Sequence, residues 1–298
     1  MTDHLLPSVA KIALLEDKEQ KIIKLRGDYW IEYSRAQKIL NRLEELLIFP
    51  KKIRMPNMLI ISPSNNGKTM IVEKFRRSHL PYDSENGENQ TIPVLMVQMP
   101  SNPTAKRFYA SILMSLGSPI TVYPSTANNE MMALKLLRIT KTRILIIDEL
   151  HNILAGNISK QREFLNILRF IGNELQLSIV GVGIKDAYLA IRSDDQLENR
   201  FEPCILPLWQ NDNEYIKLLA SFIKVLPLRK LSPLLNYDIS TMILERSEGI
   251  IGEIATLLTQ AAAEVIRSGK EYIDLETLEQ INYRSPTERR RLYESMVY

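Results

Sequence analysis

The stretch LIISPSNNGKTM, from Leu59 to Met70, constrains this chain more than any other. A short apolar run of the kind that forms a buried strand passes into a polar turn of Ser, Asn and Gly, and then into MIVEKFRRSHL, which has helical character. Strand, loop and helix in that order, with Gly67, Lys68 and Thr69 at the junction, is the context in which G-x-x-x-x-G-K-[ST] cradles phosphates. A chance G-K-T in a surface turn would lack those flanks. Ser62 stands where the pattern has its first glycine. The loss is tolerable, because Gly67 and the turn-tolerant Asn65 and Asn66 can take the positive-φ geometry that points N–H groups inward. Lys68 would neutralise the β and γ oxygens and the Thr69 hydroxyl would hold Mg2+. The candidate phosphate-binding residues are Ser62, Pro63, Ser64, Asn65, Asn66, Gly67, Lys68, Thr69 and Met70.

Further apolar runs occur in TIPVLMVQM, TRILIIDE, LSIVGVG and EPCILPL, without polar alternation, as strands covered on both faces require. Helical patterns lie between them. In SKQREFLNILRFIGNEL, Phe164, Leu168, Ile171 and Leu175 share one face. Alternating strands and helices predict an α/β fold with a parallel sheet and right-handed crossovers. After Trp209 the pattern becomes purely helical, with Ile254, Leu257, Leu258, Ala261 and Val265 on one face of the last long segment. The expected division is a helical arm and lead-in segment over 1–50, an α/β nucleotide-binding domain over 51–208, a helical lid over 209–283 and a basic tail over 284–298.

Composition narrows the classes. The chain has 298 residues, 45% hydrophobic and 24% charged, with no apolar run long enough to span a bilayer and no leader pattern, so a cytoplasmic, non-membrane protein is expected. One cysteine, Cys204, excludes an internal disulfide, and His4, His79 and His151 lack ligand spacing. A net charge of +3 is too mild to identify a nucleic-acid binder by itself.

Phosphate chemistry needs more than a loop. ILIIDELHN ends an apolar run in Asp148 and Glu149, where a strand terminus would present them: Asp148 to complete the Mg2+ site with Thr69, Glu149 to act as general base on the attacking water. Arg200, between a helical stretch and the run EPCIL, is placed to act as an arginine finger on a neighbouring subunit, or else pairs with Glu198 or Glu202 on the surface. Gln98, ending VLMVQ, is a candidate switch that would restrain Glu149 by a hydrogen bond. Lys106 and Arg107, beside Phe108 and Tyr109, and Thr121 near a turn, are candidates for following a DNA backbone.

Taken together, SPSNNGKTM, IDELHN, SIVGVGIKDA, IRSDDQLENRFEP and DYWIEYSRA resemble the AAA+ ATPases of the TniB/TnsC transposition family, from about Leu5 to the helical lid. The resemblance implies a P-loop NTPase with a five-stranded parallel sheet core and a C-terminal helical lid. It further implies ATP and Mg2+, with Lys68, Thr69, Asp148 and Glu149 at the nucleotide and Arg200 acting in trans, and Tyr33 walling the adenine pocket. Its members assemble on duplex DNA as homo-oligomers, in a ring or helical filament, and link target choice by a partner of TniQ type to a transposase. Two features depart from the wider AAA+ pattern. GVGIKD puts Gly183 and Ile184 where a polar sensor often stands, and GIIGEIAT puts Glu253 in the lid helix with no arginine nearby in sequence. Slow hydrolysis is the expectation. A helicase loader and a nucleotide-gated scaffold that never hydrolyses are the alternatives.

Overall fold

The computed structural model describes residues 2–27, 29–84, 87, 89–118 and 125–297. Seven strands lie among them: β1 (Asn57–Ile61), β2 (Tyr82–Asp83), β3 (Gln90–Thr91), β4 (Val94–Gln98), β5 (Ile144–Asp148), β6 (Ser178–Gly183) and β7 (Phe201–Ile205). The helices are α1 (Pro7–Ala13), α2 (Lys18–Leu25), α3 (Ser34–Ile48), α4 (Lys68–Ser78), α5 (Ala105–Ser115), α6 (Thr126–Ile139), α7 (Ile158–Leu175), α8 (Lys185–Arg192), α9 (Asp195–Glu198), α10 (Asn213–Val225), α11 (Tyr237–Ser247), α12 (Ile251–Ser268), α13 (Leu275–Gln280) and α14 (Pro286–Val297). Leu150–Ala155 forms a 3-10 turn.

By their contacts these elements form two compact units: Lys38–Ser64 with Lys68–Leu206, and Met1–Gln37 with Asn65–Gly67 and Pro207–Tyr298. The first contains a five-stranded, all-parallel sheet in the order β4-β5-β6-β1-β7, bearing out the fold class expected from the unbroken apolar runs. Every residue of β1, β5 and β6 is buried, because helices cover both faces. The edge strand β7 differs: only Phe201 is buried, and Pro203, which has no N–H to give a ladder, is tolerated there. Phe108, Phe164, Leu168 and Ile171 fill the core against Leu145, Ile147 and Ile179. The chain leaves β1 for one side of the sheet and reaches β7 on the other, so the carboxyl ends of the central strands open where open α/β sheets bind ligands.

The second unit is helical. Its core joins Tyr215, Leu218 and Phe222 of α10 to Ile254, Leu257, Leu258 and Ala261 of α12, and also takes in Ile22 and Leu25 of α2. The N-terminal segment expected as an arm is thus folded into this unit, with Lys21 buried in a 2.6 Å ion pair to Glu271. Helix α3 crosses the division, Gln37 falling in one unit and Lys38 in the other. The residues expected as a basic tail form α14.

Candidate functional site

Asn65–Gly67 of the loop after β1 group with the helical unit, which explains the asparagines. Asn65 and Gly67 take positive φ, 58° and 85°, turning the chain so that α4 begins at Lys68. Asn65–Gly67 are gripped by the helical unit. Helix α12 has no side-chain cap of its own at Ile250. Its first amides are met instead by the loop: Ile251 N donates to Asn66 Oδ1 at 3.3 Å, and Gly252 N to the Asn65 carbonyl at 3.0 Å. Asn66 Nδ2 donates to the Pro207 carbonyl at 3.3 Å. A Cβ on Gly252 would stand 2.1 Å from Asn65 Oδ1, so any other residue there would push the Asn65 side chain from its place. Tyr33 is near the same turn, its hydroxyl 3.3 Å from where a Cβ on Gly67 would be, and its ring meets Trp209 edge-on at 5.4 Å. Burial pushes the Tyr33 phenol up to about 12.

Within the sheet unit, Lys68 is folded into its own loop, donating to the carbonyl oxygens of Ser62 at 3.0 Å and Pro63 at 2.7 Å. Burial pulls its pKa below the ordinary value, while the carboxylates of Glu149 and Asp148 pull the other way. The Thr69 hydroxyl donates to Asp148 Oδ2 at 2.7 Å, which joins loop and strand end directly. Asp148 also accepts the Glu149 amide on Oδ1 at 2.8 Å. Glu149 itself is held at positive φ (55°), a conformation that costs a non-glycine residue energy and turns its carboxylate out of the strand line. Thr69, Asp148 and Glu149 face a cavity of about 450 Å3 with Gln98, Glu73 and Arg76.

Hydroxyl and carboxylate are hard oxygen donors, the chemistry that Mg2+ selects, and few protein ligands are usual where phosphates complete the shell. No cluster of three His, Cys, Asp or Glu that could hold a metal alone exists among the described residues. Thr69 and Asp148 therefore fit a nucleotide-dependent Mg2+ and nothing more self-sufficient.

One position differs from the sequence expectation. Gln98 is in register with Asp148 but makes no hydrogen bond to Glu149; the partner of Glu149 is His151, Nε2 at 3.2 Å from Oε2. The spacing of His151 matches no metal pattern, but the tight turn after β5 returns it to the glutamate two residues before it. Phe108 and Tyr109 are fully buried, and beside them Lys106 and Arg107, in the first turn of α5, are exposed. Thr121 lies outside the described residues.

Arg200 pairs with neither Glu198 nor Glu202, which bind Arg192 and Arg42. It donates to Asn173 Oδ1 at 2.8 Å. Burial lowers its pKa, and repulsion from Arg54 and Arg169 lowers it further. With Lys52, Arg54 and Asn199 it lines a cleft of about 580 Å3 at the amino end of β1 and β7, the end of the sheet opposite Lys68 and Asp148. The space for a polar sensor after β6 is also taken: a Cβ on Gly183 would fall 2.7 Å from the Ala187 Cβ and 3.3 Å from His151 Nδ1.

The apparent lack of an arginine near Glu253 is corrected by α14. Arg289 Nη2 donates to Glu253 Oε1 at 2.7 Å across 36 residues of sequence. A buried glutamate at a helix start with no local cation was the available signal.

Comparison with known proteins agrees with the fold. No curated protein sequence matches the chain. The ORC2 protein of Aeropyrum pernix, in ADPNP and ADP complexes, superposes with a TM-score of 0.61 at 16% identity over 86% of this chain and 70% of that one. Cdc6p from Pyrobaculum aerophilum gives 0.59 at 14% identity over 84% and 67%. The Aeropyrum pernix ORC1 protein in complex with DNA gives 0.53 at 15% identity over 95% and 69%. These likenesses show an AAA+ P-loop fold. The family model of the bacterial TniB protein matches residues 21–211, well over half the chain, which accordingly belongs to the TniB family.

Proposed function

We propose that the chain is an ATP-hydrolysing, DNA-binding regulator of transposition. It assembles on duplex DNA as a homo-oligomer, in a ring or helical filament, and couples target choice by a TniQ-type partner to a transposase. The observation that carries this reading is the convergence of Lys68, Thr69, Asp148 and Glu149, with the Thr69 hydroxyl 2.7 Å from Asp148, in a member of the TniB family. Lys68 exchanges the Ser62 and Pro63 carbonyls for phosphate oxygens. Thr69 and Asp148 would hold Mg2+, which when bound neutralises charge on those oxygens. Glu149 takes the proton of the attacking water once its carboxylate leaves His151.

Arg200 acts on a neighbour. Five residues of β7 span roughly 16 Å, more than an arginine side chain can reach back to its own loop. A cation bonded to the Asn173 amide oxygen, in an open cleft with Arg54 and Lys52, suits the triphosphate of the next subunit even with Asp194 and Asp195 close by. Such a contact is head-to-tail, and either closes into a ring or propagates as a filament. Exposed Lys106 and Arg107, and the likeness to an initiator protein determined with DNA, support a duplex backbone as the track.

A nucleotide-gated scaffold is the second reading, favoured by the packed space at Gly183 and the His151 restraint on Glu149. Phosphate release with and without duplex DNA separates the two. Release by the parent protein that disappears in Glu149→Gln supports hydrolysis; no release from the parent under either condition leaves the scaffold.

A further inference from the structure

Glu253 opens α12 as a nearly enclosed carboxylate, its side chain 9% exposed. Three donors converge on it. Asn65 Nδ2 reaches Oε1 at 3.1 Å, Arg289 Nη2 reaches the same oxygen at 2.7 Å, and the Tyr283 hydroxyl reaches Oε2 at 2.7 Å. Burial alone would raise the carboxyl pKa; the hydrogen bonds of Arg289, Tyr283 and Asn65 together outweigh it and hold the group below the ordinary value, hence ionised at neutral pH. The helix start does not need this charge, because the Asn65 carbonyl and Asn66 side chain already meet its first amides. What Glu253 does is fasten the Asn65 side chain.

That fastening has a use. Asn65 sits at φ 58°, a left-handed conformation that asparagine tolerates, its backbone held by the Gly252 amide and its side chain by Glu253. We propose that Arg289, on the C-terminal helix α14, is a positioning residue of the nucleotide site: through Glu253 it fixes Asn65, and with it the phosphate-loop tip, in the shape that receives a triphosphate. Arg289 also balances the negative charge of Glu253, which would otherwise stand uncompensated one hydrogen bond away from a loop meant to accept phosphates. Helix α14 is secured to do this. Its first turn is tied by the Thr287 amide to Glu248 at 2.8 Å, and Arg289 Nη1 donates to the Arg284 carbonyl at 3.2 Å.

The inference rests on the nucleotide reading, so its test has one arm without nucleotide. Hydrogen exchange of the nucleotide-free full chain should show the amides of Asn65–Thr69 exchanging faster in Arg289→Ala than in the parent, with β1 and β5 unchanged. Calorimetric titration with ATP and Mg2+ should show about tenfold weaker binding in Arg289→Ala, most of it recovered in Arg289→Lys, with phosphate release at saturating ATP unaltered. Because the arginine acts through the glutamate, adding Arg289→Ala to Glu253→Ala should weaken binding no further. Unchanged loop exchange in Arg289→Ala, or losses that add in the double variant, would overturn the proposal. Parent protein that binds no ATP would refute the nucleotide reading, while the exchange arm still decides whether Arg289 sets the loop. If Arg289→Ala does not fold, Tyr283→Phe, which removes one donor from the same carboxylate, should raise loop exchange by a smaller factor; no change there would also overturn it.

Discussion

At the scale of single residues, the site is built from substitutions that no backbone pattern forces. Asn65 and Asn66 replace the small residues common in a phosphate loop because they also cap α12, one with a carbonyl and the other with a side-chain oxygen. Gly183 replaces a polar sensor because Ala187 and His151 fill the volume any side chain would need. Gly183→Ser is accordingly expected to cost about 1–3 kcal/mol of stability through overpacking, and not to accelerate hydrolysis. Urea denaturation alongside a phosphate-release assay checks both halves, and a stable variant with faster turnover would show that the space is open. The loop motif and the Asp148–Glu149 pair were legible in sequence, since each depends on a few neighbouring residues. The His151 and Arg289 contacts were not: the first depends on how tightly the chain turns after β5, the second on a helix 36 residues away.

At the scale of elements, continuous apolar runs announced the buried strands correctly, because a parallel strand covered on both faces has no polar side to alternate with. The ends of the chain were harder to read. Helix α2 looks like a free amphipathic arm until Lys21 is seen buried against Glu271. Breaking that pair from one side leaves a buried carboxylate short of its cation, so Lys21→Ala should lose about 3 kcal/mol by chemical denaturation. In α4, the helix that carries Lys68, Glu73 accepts from Arg76 and Arg77. The Arg76 hydrogen bond is the main reason its carboxyl falls from 4.5 to about 2. A carboxyl lowered on folding contributes stability that is full above pH 4.5 and vanishes as pH drops through about 2. Because both arginines are partly exposed, the contribution is about 1 kcal/mol. Glu73→Gln should therefore be less stable than the parent at pH 7, with the two denaturation curves converging toward pH 2.

At the scale of the whole molecule, the sheet separates the residues proposed for the nucleotide from the proposed finger. Lys68, Thr69, Asp148 and Glu149 gather at the carboxyl ends of the strands, and Arg200 stands at the amino end of β7, in no ion pair among the described residues though the Asp194 carboxylate attracts it. If Arg200 acts as proposed, its place on the wrong side for its own loop predicts complementation between subunits. Arg200→Ala and Glu149→Gln should each abolish phosphate release alone, and an equimolar mixture on duplex DNA should regain a fraction of parent activity, as mixed contacts pair an intact finger with an intact carboxylate. A mixture as inactive as its components would count against action in trans. All of this depends on a triphosphate occupying the loop between Ser62 and Thr69. Calorimetric titration of the full chain with ATP in magnesium buffer tests that most directly: the account predicts saturable binding that weakens roughly 10- to 100-fold in Lys68→Ala, and the absence of binding by the parent protein, or equal binding by both, would contradict it.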